Sequence, residues 1–206
     1  MELDAPGCEA QALVLSLLIE ESIQIGEPMG GVALGWANAY DKFDFQALSD
    51  VLLRLGVPRW IWLPLLDMYQ GSRQVRIDGA LGSSLFHIGG ILVGCPMTTL
   101  LTDLVQWVIY SRVKARNPWG TQRGWVDDRT HYSDDMEVVQ DLVTDTLDFA
   151  ACGEWAYGLH VPKAKSTTFG SYDEAQQVIL QLDRDISLPA KVGFKHFGIA
   201  RGRGAF

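Results

Sequence analysis

The sequence predicts an α+β fold with helices packed on one face of a largely antiparallel sheet, and three observations carry this. The candidate elements run helix, strand, helices, hairpin, helix, hairpin, helix and short strands, an interleaved order with paired short strands. At 206 residues and 48% hydrophobic, the chain is long enough for one sizeable core or two lobes. No internal repeat, low-complexity tract or long Gly/Ser/Pro linker divides it.

The elements follow in order. Ala10–Ile25 is apolar with acids at Glu20 and Glu21, a helix stopped by Gly26 and Pro28. Gly30–Ala37 is small and apolar, as a buried strand is. Asp41 or Asp44 opens a helix through Leu55, which Leu55-Gly56-Val57-Pro58 stops. A second helix, Arg59 to about Tyr69, ends at Gly71. Arg73–Ile77 and Ser84–Ile88 flank a turn through Asp78-Gly79 and read as a hairpin. Gly89-Gly90 and Gly94-Cys95-Pro96 bracket a glycine-rich approach to a long helix, about Met97–Ala115. Ser133 with Asp134-Asp135 makes an N-cap and acidic first turn for a helix that runs to Tyr157 and stops at Gly158. Short strands are expected around Leu159–Val161, Ser166–Phe169, Val178–Leu182 and Phe194–Ala200.

Composition narrows the function. Three cysteines and four histidines have no metal-ligand spacing and no disulfide framework, which favours a reducing compartment. The N-terminus lacks a basic stretch followed by an apolar one, so it does not read as a secretory signal. Gly90–Ile109 is the one candidate membrane span, and Asp103 and Gln106 in it favour a buried core helix. No membrane role is expected. The net charge of −8 argues against a strongly basic nucleic-acid binder, although local Arg/Lys patches and a metal-dependent site override an average.

One short run carries chemistry. Trp125-Val126-Asp127-Asp128 followed by Arg129-Thr130-His131-Tyr132 reads as strand, tight turn, strand, with both acids at or beside the turn. Adjacent carboxylates repel, and a fold that points them together needs a cation to offset the cost. Mg²⁺ suits such a site, binding through one or two carboxylates plus substrate phosphates. The alternative is a solvated Asp-Asp turn.

Taken in order, the pieces resemble the palm, with part of the fingers, of a reverse transcriptase, closest to those of non-LTR retrotransposons and group II introns. The resemblance covers roughly residues 10–200. Asn38-Ala39-Tyr40-Asp41-Lys42-Phe43-Asp44 resembles the first catalytic motif, and Leu55-Gly56-Val57-Pro58 with Met68-Tyr69-Gln70-Gly71 the helical connection after it. Val93-Gly94-Cys95-Pro96-Met97-Thr98 is similar to the motif opening the long palm helix, and Trp125-Val126-Asp127-Asp128 to the aromatic-x-Asp-Asp hairpin. Gly158-Leu159-His160-Val161 with Lys165-Ser166, and Phe194-Lys195-His196-Phe197-Gly198, resemble the last two motifs, the second being the primer grip.

The resemblance implies RNA-directed DNA polymerisation: a primer 3′-hydroxyl attacks the α-phosphate of a deoxynucleotide, with two Mg²⁺ (or Mn²⁺) at the attacking and leaving oxygens. It implies an RNA template, a DNA primer and deoxynucleotide triphosphates as partners, and one palm with partial fingers over 1–206, without a thumb. Asp127 and Asp128 become metal ligands, with Asn38 at the third position. Phe43 would lie against the incoming sugar; a core aromatic at a helix start is the equal alternative. Gly94 and Pro96 would shape a loop at the nascent base pair, and Lys165 would approach the pyrophosphate; an ordinary helix start and a solvated lysine are their alternatives. Trp125, Phe197 and Gly198 fall at primer-binding positions.

The chain departs from the family pattern where it matters most. Asn38 offers a neutral oxygen where the family has an acid. Two positive charges facing one carboxylate at ~4 Å are worth roughly 8 kcal/mol at an effective dielectric of 20. Losing a third of that is about 2–3 kcal/mol, roughly a hundredfold in rate. Asp41 and Asp44 are nearby, but a three-residue shift changes the side of the strand, so helix capping is the expected role. Val93 replaces a Gln and Pro162 an Asn of the family pattern. The expectation is a degenerate or fragmentary polymerase domain; a non-catalytic nucleic-acid-binding or interaction scaffold, or an unrelated domain with an Asp-Asp turn, are the alternatives.

Overall fold

The computed structural model describes residues 8–37, 39–85, 89–125, 128–162, 166–171, 190–191, 195–196 and 199–200. In chain order these form α1 (Cys8–Ile25), β1 (Gly30–Gly35), α2 (Ala39–Lys42), α3 (Phe45–Arg54), α4 (Arg59–Gln70), β2 (Arg76–Ile77), β3 (Ala80–Leu81) and α5 (Pro96–Arg116). There follow β4 (Thr121–Trp125), β5 (Asp128–Ser133), α6 (Met136–Tyr157), β6 (Thr167–Gly170), β7 (Ala190–Lys191), β8 (Lys195–His196) and β9 (Ile199–Ala200). Two compact units result: residues 1–37, 109–151 and 161–206 in the first, 38–108 and 152–160 in the second.

The first unit is built on a five-stranded sheet ordered β4-β5-β1-β6-β7. All pairings are antiparallel except β6 with β7. The six residues of β1, Gly-Gly-Val-Ala-Leu-Gly, are all buried, which explains why the strand shows no polar alternation. Gly31 sits between Tyr132 and Phe169 in register. A Cβ there would strike the His131 carbonyl and the Cα and Cβ of Tyr132, so only glycine lets β1 and β5 approach this closely.

Alternation along the strands then sorts the side chains. One face carries Met29, Ala33, Tyr132 and Phe169, which form a core with Leu15 of α1, joined by Leu18 and Ile19. Burying each of the larger side chains stabilises the unit by about 1.5–3 kcal/mol. His131 points to the opposite face, where the Tyr110 ring of α5 lies 4.9 Å from its centroid. The α+β class and the largely antiparallel sheet are as expected, with a refinement: α1 and α5 meet opposite faces of the sheet. The start of β1 is pinned at Ser22, whose hydroxyl donates to the Glu27 carbonyl (2.6 Å) and lies in hydrogen-bond contact with Ser171 Oγ (2.8 Å), while Met29 N donates to the same Ser171 oxygen (2.9 Å).

In the second unit, the helix expected from Asp41 or Asp44 is two helices. Asp44 caps the longer one, its carboxylate accepting from Ala47 N at 2.8 Å, and Asp41 stands in the first turn of α2. Leu48, Val51 and Leu52 of α3 and Trp62, Leu66 and Tyr69 of α4 are buried. The Asp78-Gly79 turn has φ of 49° and 85°, the paired positive values of a tight hairpin turn. Its second strand starts at once, at Ala80–Leu81 rather than Ser84, with a separate bridge between Arg73 and Leu85.

Two other expectations change. Ser133 ends β5, and Asp135 caps α6 instead, its carboxylate accepting from Glu137 N at 3.0 Å while its own N–H donates to Ser133 Oγ. A strand at Leu159–Val161 reduces to a bridge at His160, and Val178–Leu182 lies outside the described residues. No described helix is long and apolar enough to cross a membrane.

Candidate active site

The end of β1 and the start of β5 meet at one end of the central sheet. Gly35, the last residue of β1, is paired with Asp128, and Asp128 is paired across the hairpin with Trp125. The acid therefore opens β5 at one end of the central sheet, beside the strand that leads through Trp36 and Ala37 towards position 38. Asp128 is half-buried, and Gly35 opposite it adds no side chain. Asn38, Val126 and Asp127 lie outside the described residues, as do Lys165, Phe197 and Gly198, and Trp125 is described by its backbone alone. β8 and β9 pair antiparallel.

Behind Asp128, β5 carries two polar side chains on the α5 face. Arg129 folds back over Gly124, its partner in register: a Cβ on Gly124 would overlap the guanidinium and Cδ. His131 is buried with neither ring nitrogen hydrogen-bonded among the described residues. Burial, aided by the positive Arg129, pushes its pKa down to about 3, so this imidazole is neutral at physiological pH. Burial also drives the Tyr110 hydroxyl far above its ordinary value. Neither group is set up to exchange protons near pH 7.

The second unit holds the glycine-rich loop. Gly90 N donates to the Phe43 carbonyl (2.8 Å) and Ile91 N to the Tyr40 carbonyl (2.6 Å), so the loop lies on the α2–α3 junction. Gly90 has φ +87°, and a Cβ would stand 2.9 Å from the Asp41 Cα and from the Tyr40 carbonyl oxygen. The ring of Phe43 is 1% exposed and belongs to the interior of this unit. Gly94, with φ +88°, has open space around it, and Pro96 begins α5 as an exposed first residue, a position suited to its missing N–H.

Sequence reasoning missed the hub of this loop. Tyr69 is completely buried, and its hydroxyl donates to Cys95 Sγ (3.2 Å) and stands 3.4 Å from Thr98 Oγ1. Thr98 Oγ1 in turn donates to the Leu92 carbonyl at 2.6 Å. Burial raises the Tyr69 pKa to about 12, and its hydrogen bond lowers that of the Cys95 thiol. Nothing local in the sequence signals a bond between α4 and a loop 26 residues later.

Among the described residues no group of three or more His, Cys, Asp or Glu side chains could hold a metal ion. The oxygen donors at 38, 127 and 128 are of the hard type that fits Mg²⁺, and Asp128 is the one the structure describes.

The fold resembles that of solved telomerase structures. Two solved structures share it, both titled as telomerases in complex with a TWJ fragment of telomeric RNA. The one from Candida tropicalis aligns with a TM-score of 0.57 at 10% identity, over 80% of this chain and 30% of its own. That from Candida albicans aligns at 0.54 and 13% identity, over 97% of this chain and 34% of its own. The chain thus spans about a third of these proteins, and at such identity the likeness is one of fold. No protein-family profile matches the chain, and no curated protein matches it.

Proposed function

We propose that this chain is the palm, with part of the fingers, of a reverse transcriptase of the non-LTR retrotransposon or group II intron kind. Its reaction by descent is RNA-directed DNA synthesis, attenuated here by Asn38. The observation that carries the reading is the pairing of Gly35 with Asp128, which sets the Asp-Asp hairpin beside the end of the central strand. A two-acid nucleotidyl-transfer centre needs such a juxtaposition of neighbouring strands.

In this reading Asp127 and Asp128 would hold Mg²⁺, with Asn38 as a neutral third donor. Such an ion would supply positive charge that favours deprotonation of the primer hydroxyl and offsets charge on the leaving pyrophosphate. The chain's own residues bind and orient. Gly94 and Pro96 shape the loop that meets the nascent base pair, and Tyr69 fixes that loop through Cys95 and Thr98. Phe43 acts from beneath, its ring anchoring the α2–α3 junction and its carbonyl holding Gly90. Lys165 meets the triphosphate; Trp125, Phe197 and Gly198 support the primer end.

The test is formation of a ternary complex, read by fluorescence anisotropy of a labelled DNA primer on an RNA template. The next correct deoxynucleotide, with Mg²⁺, should slow dissociation of the hybrid, and Asp127→Ala should abolish that effect. Binding that ignores nucleotide, Mg²⁺ and Asp127→Ala alike would replace this reading with that of a non-catalytic nucleic-acid scaffold.

A further inference from the structure

A cleft of about 440 Å³ opens in the first unit at the end of the sheet opposite Asp128. It lies where β1 and β4 begin and β5 ends, at residues 28–29, 121–123 and 132–134, under the C-terminal turns of α1. Leu18, Ile25, Pro28 and Met29 give it an apolar wall. Glu21, Glu27 and Asp134 give it an acidic rim, and all three are exposed. Among the described residues none of these carboxylates has an ion-pair partner. Among the described lining residues the one cation, Arg123, donates its Nε–H to the Tyr132 hydroxyl at 2.9 Å. Three carboxylates against one arginine leave the described lining net negative.

The cleft continues onto a surface. Leu13, Leu17, Glu21 and Ile25 follow at intervals of four along α1, one winding stripe on a helix. The three apolar members are 58%, 54% and 60% exposed. Leucines at this spacing form one half of a helix–helix seam, while the opposite side of α1 already serves the core through Leu15. Apolar stripe and acidic cleft lie end to end, with Leu13 and Glu21 about 12 Å apart at 1.5 Å per residue.

We propose that this face docks a basic amphipathic helix of a partner protein. Two apolar residues one turn apart seat against Leu13 and Leu17. A Lys or Arg one or two turns further enters the cleft, its aliphatic stem along Ile25, Pro28 and Met29 and its charged head among Glu21, Glu27 and Asp134. Long basic side chains suit such a site because stem and head favour different surroundings. An acidic helix would meet repulsion at the rim. The proposal is independent of nucleotidyl transfer, since none of these residues belongs to the candidate active site.

The probe is a fluorescent Leu/Lys peptide of roughly 18 residues, about 27 Å long as a helix, with its Leu/Glu counterpart as control. The full chain should bind the Leu/Lys peptide saturably and the Leu/Glu peptide not at all. The double variant Glu21→Lys/Asp134→Lys should weaken binding about tenfold or more, as should Leu17→Asp alone. Asp50→Lys/Asp141→Lys makes the same change of net charge at exposed acids outside the cleft and stripe, and should retain wild-type affinity. Equal losses in the two charge-matched variants, or no saturable binding, overturn the proposal. Self-association of the chain that Leu17→Asp relieves would assign the stripe to a second copy and overturn it too. A photo-crosslinker on the peptide's central lysine should label residues 21–29 or 121–134; labelling elsewhere counts against the site even if a variant folds poorly.

Discussion

Replacing His131 with leucine should remove much of the acid sensitivity of this domain. The imidazole is 1% exposed on the central sheet, against the Tyr110 ring, and its nitrogens have no hydrogen-bond partner among the described residues. Burial and Arg129 lower its pKa from 6.5 to about 3. Because the folded-state value lies below the unfolded one, the unfolded chain takes up the proton first. The stabilisation is therefore complete above pH 6.5 and is lost progressively as pH falls towards 3. At 1.36 kcal/mol per unit of pKa, the wild type should lose about 2 kcal/mol by pH 5 and about 3 kcal/mol by pH 4 on this account alone. His131→Leu should lack that loss and be near wild type in stability at pH 7.5, since the group removed has no hydrogen bond to forfeit. Urea denaturation of both proteins from pH 4 to 8 measures the difference. A wild-type-minus-variant difference that is flat with pH, or an imidazole resonance that titrates near 6.5, would rule out a buried, neutral His131.

Three further outcomes follow from the second unit. Phe43→Ala should cost about 3–5 kcal/mol in denaturant unfolding, as loss of a buried ring does, because the side chain is 1% exposed; a loss under about 1 kcal/mol would move the ring out of the core. Gly90→Ala should cost at least about 2 kcal/mol, from its φ of +87° and the 2.9 Å approach to Asp41 and Tyr40. Thermal melts will read it, and a neutral change would contradict the docking of the loop on α2. Asp44→Ala should cost about 1 kcal/mol through the lost cap, while Asp41→Ala should stay within about 0.5 kcal/mol. The reverse ranking in urea unfolding would reassign the helix start.

What the sequence made legible was local. The small apolar run at Gly30, the glycine–proline stop after Leu55 and the turn at Asp78-Gly79 each act over a few residues, and each appears where expected. Asp128 beside a hairpin turn was legible for the same reason. Two N-caps were harder, because adjacent acids compete: Asp44 caps α3 with Asp41 near it, and Asp135 rather than Ser133 caps α6. The rest depends on contacts distant in sequence. Tyr69 reaches Cys95 and Thr98, Gly90 meets Phe43, and β7 adds to β6 in parallel, none of which has a local signature. Coverage of both sheet faces follows from the pairing of β1 with β5, which places Tyr132 and His131 on opposite sides. Phe43 shows the limit most clearly, because an aromatic beside a motif reads equally as core or as substrate platform until its burial is seen.

Under the proposed function the chain keeps a nucleotidyl-transfer scaffold with Asn38 in place of its third acid. Single-turnover primer extension on an RNA template, comparing wild type with Asn38→Asp in Mg²⁺ and Mn²⁺, tests it most directly. A rate roughly a hundredfold higher is expected in Asn38→Asp, abolished when Asp127→Ala is added. Equal rates in wild type and Asn38→Asp, or extension that survives Asp127→Ala, would contradict it.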